Sequence, residues 1–143
     1  MLAKKITYAD YDGHKRTETF YFNLTKSEIT ELQLTYPGGY AEYIEKVVES
    51  GDAPELMKMF KDIIRRSYGE KTDDGKRLVK SDELSRAFME TLAYDELFME
   101  LCHDADYALK FVAGIMPDFG DDKERLLEET KAKIISMKGD EEN

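Results

Sequence analysis

The spacing of hydrophobic residues changes along this chain, and the changes divide it into elements. Near the start, ITYADY and TETFYFNL place Ile6, Tyr8, Tyr11, Phe20, Tyr21, Phe22 and Leu24 among polar neighbours. Aromatic and β-branched residues on either side of Asp12-Gly13 predict a β-hairpin, with strands from about Lys5 to Tyr11 and Arg16 to Leu24. His14 and Lys15 read as loop, so the connection is longer than two residues. An isolated hairpin is marginal in water, so this one must lie against the helices of the same chain.

From Thr25 onward the apolar spacing becomes three and four, the period of one face of a helix. Thr25 and Glu28 form a capping box that opens a first helix, with Ile29, Leu32 and Leu34 inward, ending before Pro37-Gly38-Gly39. A second helix, about Tyr40 to Ser50, presents Tyr40, Tyr43, Ile44, Val47 and Val48, and Gly51 terminates it. Asp52 caps a third, with Pro54 in its first turn, where a missing N–H costs little. Its apolar face is Leu56, Met57, Phe60, Ile63 and Ile64, and Gly69 closes it. Glu70 to Lys80 is polar around Asp74-Gly75 and reads as a loop or a small hairpin.

The densest periodicity runs from Ser81 to Met116. Ser81 stands at an N-cap, with Asp82 and Glu83 adding negative charge to the first turn. The stripe is Leu84, Ala87, Phe88, Leu92, Leu97, Phe98, Leu101, Ala105, Ala108, Leu109, Val112, Ile115 and Met116. Breaks are expected near Ala93-Tyr94 and near His103-Asp104, where Asp104 caps a further helix, and Pro117 stops the run. The fold class is therefore α+β and mainly α-helical: an N-terminal hairpin followed by a bundle of about five to six helices. Residues 1–117 form one globular domain whose core includes Phe60, Ile63, Phe88, Leu97, Leu101 and Val112. Residues 118–143 are a charged C-terminal helix or tail with nine acidic and five basic residues, helical from about Asp121 to Met137; whether it docks is open.

Composition narrows the function more than it specifies one. A net charge of −10 argues against a nucleic-acid-binding module, which needs a clustered basic surface. No apolar run reaches the ~18 residues of a membrane span. The first residues lack the apolar core of a secretory signal, and one cysteine, Cys102, fits a reducing compartment. A cytoplasmic location is expected.

The candidate chemical motifs are incomplete. Asp10-Tyr11-Asp12-Gly13 resembles the middle of a calcium loop, but Tyr8 and Thr19 stand where the first ligand and the bidentate glutamate belong. Gly69 to Lys76 has the wrong glycine spacing for a phosphate loop, and Arg77 replaces the metal-binding hydroxyl. Asp118-Phe119-Gly120 is a kinase triplet without other kinase elements. Glu100 and His103 give a single Glu-x-x-His, where a carboxylate-bridged metal site needs two and further glutamates. Cys102 and His103 are adjacent, so on a helix they diverge by about 100° and form no nucleophile–base pair. No catalytic residue, metal or cofactor is expected.

The ordered segments ITYADYDGHKRTETFYFNLTKSEITELQL, PGGYAEYIEKVVES, PELMKMFKDIIRRSYGEK and SDELSRAFMETLAYDELFMELCHDADYALKFVAGIMP resemble the tail assembly chaperones of long-tailed phages and prophages of Gram-positive bacteria. The resemblance covers about Lys4 to Pro117 and is weakest beyond it. It implies a small, mainly helical protein that works in the cytoplasm of the bacterial host and is absent from the mature virion. Such a protein coats the aggregation-prone tape measure protein until major tail (tube) subunits replace it. In many such phages a frameshifted longer product recruits the tube protein. Self-association is left open.

Seven methionines and sixteen aromatic residues supply adaptable and anchoring contacts, most of them expected in the core. The segment holding Tyr36, Tyr40 and Tyr43 around Pro37-Gly38-Gly39 is the expected exposed apolar patch and partner-binding site. The alternative reading is a stand-alone acidic interaction module, such as a phage-encoded adaptor or an inhibitor of a basic host protein. An enzyme built on Glu100 and His103 is the third.

Overall fold

The computed structural model describes residues 1–117. The expected tail helix, Asp121 to Met137, lies outside them. Within them the order is β1 (Leu2–Ala9), β2 (Lys15–Phe22), α1 (Lys26–Thr35), α2 (Tyr40–Ser50), α3 (Ala53–Ser67), β3 (Tyr68–Lys71), β4 (Leu78–Val79), α4 (Asp82–Met89), α5 (Leu92–His103) and α6 (Ala105–Ile115). The expected α+β, mainly helical class with a leading hairpin is what the chain adopts.

The hairpin is shifted from what its hydrophobic pattern suggested: β1 starts earlier, at Leu2, and ends at Ala9 rather than Tyr11, β2 ends at Phe22 rather than Leu24, and eight positions pair from Leu2–Phe22 to Ala9–Lys15. Lys15 is its first β2 residue rather than loop. The turn is held by Asp10, whose backbone N–H reaches the His14 carbonyl and whose Oδ1 accepts from the N–H groups of Asp12 and His14, each at 2.9 Å.

Two more strands extend the hairpin into an antiparallel sheet of order β1-β2-β3-β4. Gly69, expected to terminate α3, is instead a strand residue opposite Tyr21. The Leu78 side chain lies across it, so a Cβ there would stand 2.7 Å from Leu78 Cγ. Glycine is required at this position for space. The terminator of α3 is Tyr68, which turns to extended backbone (φ −65°, ψ 139°) and enters the sheet directly.

Five helices begin at side-chain caps. Thr25 and Glu28 form the reciprocal box, and Asp52, Ser81, Thr91 and Asp104 each accept a backbone N–H three residues on. Such caps satisfy amide donors that the helix itself leaves unpaired. The break expected at Ala93-Tyr94 falls earlier, at Glu90-Thr91, because Thr91 supplies the cap oxygen. Gly51 ends α2 in the left-handed region at φ 64°, as expected.

The helices cover one face of the sheet, with α5 and α6 along β1, α3 on β2 and α4 on β3. At the centre Phe22, fully buried, meets Tyr68, Phe88 and Phe111 at ring-centroid distances of 5.8, 5.7 and 5.2 Å. Phe60, Ile63, Phe88, Leu97 and Leu101 are buried as expected, whereas Val112 is only partly covered. Met59 and Phe111 fill core positions that the stripe omitted. Leu34, expected to face inward, is 91% exposed, and Met57 also points largely to solvent. In a ten-residue helix anchored by Ile29 and Leu32, Leu34 falls on the opposite face.

Candidate functional site

The α1–α2 connection and α3 build the most structured polar-aromatic cluster among the described residues. Tyr36 follows α1, Tyr40 opens α2 and Tyr43 stands one turn further on. The Tyr36 ring lies 5.1 Å from Tyr40 and 4.5 Å from Tyr43, close to the spacing at which aromatic pairs add about 0.5–1.5 kcal/mol beyond burial. The expected exposed patch is thus only partly exposed. Tyr40 is wholly buried, while Tyr36 and Tyr43 keep partial access to solvent. The reason is the short Pro37–Gly39 turn, which folds the start of α2 back so that Tyr40 enters the core.

Asp62 ties the tyrosines to α3. Its Oδ2 accepts from the Tyr40 hydroxyl at 3.0 Å, from the Tyr36 hydroxyl at 3.3 Å and from Arg66 Nε at 2.9 Å. Its Oδ1 accepts from Arg65 Nη2 at 3.0 Å. The Arg66 guanidinium also lies 5.9 Å from the Tyr36 ring centroid, within cation–π range. Burial alone would raise the Asp62 carboxyl, but its hydrogen bond and charge contact with Arg66, then Arg65 and Tyr40, hold it below the ordinary carboxylate range. Tyr40 moves the other way: burial and the facing Asp62 carboxylate push its phenol above the usual tyrosine range, so it stays protonated and donates.

A second ionic knot lies nearby. Lys80 Nζ bridges both carboxylate oxygens of Glu28, each at 2.8 Å, and also donates to the Asn23 carbonyl. Burial pushes the Glu28 carboxyl up, but Lys80 and the Thr25 N–H outweigh it and leave it lowered. The groove beside it, about 360 Å³, is lined by Leu24, Leu32, Arg65, Lys80 and Ser85 among others. Its cations are already engaged, Lys80 by Glu28 and Arg65 by Asp62.

These two lowered carboxylates set an acid limit. The unfolded chain binds protons on them at higher pH than the native state, so stability rises with pH across that window. It should be level from about pH 7 to about pH 5, then fall as Asp62 and Glu28 are protonated below about pH 4. Thermal melts across that range should show the drop, and Asp62→Asn with Glu28→Gln should flatten it. A wild-type melting temperature unchanged down to about pH 3 would contradict the assignment.

The remaining sequence candidates do not converge on chemistry. Glu100 pairs with Lys4 at 3.5 Å, and His103 is exposed. Cys102 is partly buried, and burial raises its thiol, which keeps it in the unreactive protonated form. Asp10, Asp12 and His14 do come within 4.8 Å of one another. Asp10, however, is taken by Arg16 Nε at 2.6 Å and by the turn amides, which accounts for its lowered carboxyl. Among the described residues no helix is long and apolar enough to cross a membrane.

The cluster is thus a partly exposed aromatic face tied to α3 by part-buried and exposed ion pairs. A family model described as phage tail assembly chaperone matches residues 1–136. The chain belongs to that family. Membership indicates a non-enzymatic role with tail proteins as partners. The match also runs past Pro117, so much of the tail, expected to depart from the family, is part of it. No curated protein and no solved structure matches this chaperone. Asp62, Arg65 and Arg66 were missed by the sequence reading of the site. Their spacing of three and four on one helix was visible, but the reach of Asp62 and Arg66 to tyrosines more than twenty residues away was not.

Proposed function

We propose that this tail assembly chaperone binds the tape measure protein, keeps it dispersed, and helps recruit major tail (tube) subunits before they replace it. It would work in the host cytoplasm and leave no copy in the mature virion, which mass spectrometry of purified particles would test. The observation that carries the reading is the Tyr36–Tyr43 face: two partly exposed rings beside buried Tyr40, Tyr36 tied to Asp62 and Arg66 and Tyr43 packed on the rings of Tyr36 and Tyr40. Tyrosines held in one orientation lose little entropy on binding, and they suit an apolar stripe along a partner helix.

The net charge of −10 keeps such a complex from coalescing. Modest contacts repeated along a long partner would give high avidity while each stays displaceable. Co-expression should keep the cognate tape measure protein soluble with several copies bound. Replacing Tyr36 and Tyr43 by Ser, and sparing buried Tyr40, should weaken capture about tenfold or more. The lost ring contacts lower the melting temperature, so capture is compared at a temperature where circular dichroism shows both chains folded. If the folded wild-type chain neither binds nor solubilises the tape measure protein, the proposal fails. If the wild type binds and the double variant binds equally well, the contact lies on another face.

A further inference from the structure

The helices cover one face of the sheet, and the register shows what stands on the other. Across that outer face Ala3 is opposite Tyr21, Lys5 opposite Thr19, Thr7 opposite Thr17 and Ala9 opposite Lys15. Gly69 continues the first of these rows beyond Tyr21, and Lys71 stands opposite Leu78. The Leu78 side chain lies over Gly69, so Ala3, Tyr21, Gly69 and Leu78 form an apolar row across the sheet. Lys5, Lys15 and Lys71 are exposed around it, and no carboxylate of the paired strands shares the face. Lys71 Nζ lies 5.7 Å from the Tyr21 ring centroid, which holds its charge next to the row. The Thr7 and Thr17 hydroxyls engage each other at 2.9 Å, so neither needs a further partner.

The end of α6 delivers the chain to the margin of this face. A Cβ on Gly114 would stand 3.1 Å from Leu2 Cδ1, and the Leu24 N–H donates to the Ile115 carbonyl at 3.0 Å. Leu2 and Phe22 are the last pair of the β1–β2 ladder, so α6 ends where that ladder ends. Met116 has already turned to extended backbone (φ −69°, ψ 143°). Residues 116–120, if extended, reach about 17 Å, enough to pass the end of the ladder to the outer face. From Ala3 to Ala9 that face is about 20 Å long. A helix from Asp121 to Met137 would span about 25 Å.

The sequence beyond Pro117 also carries the charge that the face lacks. From Asp118 to Thr130 there are six carboxylates against Lys123 and Arg125. At about 100° per residue, Leu126, Leu127, Thr130, Ile134 and Met137 fall on one stripe, and Asp122 and Glu129 lie along one border of it. We infer that residues 121–137 pack on the outer face of the chain's own sheet, with this stripe on the Ala3–Tyr21–Leu78 row and the threonines, and Asp122 and Glu129 beside the lysines. An antiparallel sheet is stable with one face in water, so the fold does not require the cover. What favours it is the agreement of charge, apolar surface, length and exit point. The groove lined by Leu24 is also within reach of the end of α6, but Glu28, Glu31 and Asp82 line it, and Arg65, Arg66 and Lys80 there are already paired. Packing of this kind does not depend on binding of the tape measure protein.

The test uses the purified full chain and amide hydrogen exchange read by mass spectrometry. Amides from Leu126 to Met137 should exchange about tenfold or more below the unfolded rate, whatever the protein concentration. Lys5→Glu with Lys71→Glu should speed them about tenfold, and so should Leu127→Asp with Ile134→Asp, while α3 and α6 keep their protection. Adding Asp122→Lys and Glu129→Lys to the lysine reversals should restore slow exchange. Lys5→Thr with Lys71→Thr gives the same arm should the reversals disturb the sheet. A cysteine pair then locates the contact in a Cys102→Ser chain under mild oxidation. Thr7→Cys with Ile134→Cys should bridge within one chain, and Glu31→Cys with Ile134→Cys should not. Wild-type amides beyond Leu126 exchanging at the unfolded rate would overturn the inference. So would protection that neither variant set changes, protection that grows with concentration, or bridging at Glu31→Cys in place of Thr7→Cys.

Discussion

Phe22→Ala should cost about 3–5 kcal/mol of folding stability and lower the melting temperature by about 10–15 °C. Phe22 is fully buried where sheet meets helices, with Tyr68, Phe88 and Phe111 around it. Those neighbours come from β3, α4 and α6, so a cavity there cannot be closed by moving one element. Large-to-small changes are most costly where the surroundings cannot collapse. Leu34→Ala is the control: at 91% exposure it should change stability by no more than about 0.5 kcal/mol. Denaturant titration of both variants reads the difference directly. A loss below about 1 kcal/mol for Phe22→Ala would mean that the core is centred elsewhere.

The second large effect is expected at Asp62. Its removal as Asp62→Ala should destabilise by about 2–3 kcal/mol. The buried Tyr40 hydroxyl loses its acceptor, and Arg65 and Arg66 lose the carboxylate that neutralises them. Arg65 is nearly half exposed, so its share is small once solvent screening is counted. Tyr40→Phe removes the hydroxyl that needs a partner and should cost less, about 1 kcal/mol. The double variant should then fall short of the sum, because both changes break one bond. Full additivity would show that the Tyr40–Asp62 contact contributes little.

Local signals in the sequence specified the elements well where a side chain makes its own contact nearby. Thr25 with Glu28, Ser81 and Asp104 cap helices as their spacing implies, and Gly51 supplies the left-handed turn. What could not be read was decided at a distance. Gly69 reads as a helix stop, yet its place is set by Tyr21 and Leu78, which approach from other strands. Tyr40 was expected on a surface patch and is buried because Asp62 gives its hydroxyl a partner inside. The outer sheet face has the same origin: Lys5, Lys15 and Lys71 are scattered in sequence and are brought to one side only by strand register.

The placement of β3 also bears on how the chain comes to be folded. Phe22 and Tyr68 are paired across adjacent strands, yet α1, α2 and α3 all lie between them in the chain. The β1–β2 hairpin can close within its own turn, on the microsecond scale of local hairpins. The third strand must wait for an entire helical segment to be made and closed into a loop. During synthesis, the Tyr21–Phe22 end of the β2 edge therefore stays unpaired until β3 has left the ribosome, and the rest of that edge has no β3 partner even in the folded chain. Such an edge is a template for wrong pairing, and Pro is absent from it. Its exposed half, Lys15 to Thr19, carries Lys15, Arg16 and Glu18, charges of the kind that keep an open strand from joining another while the helices form.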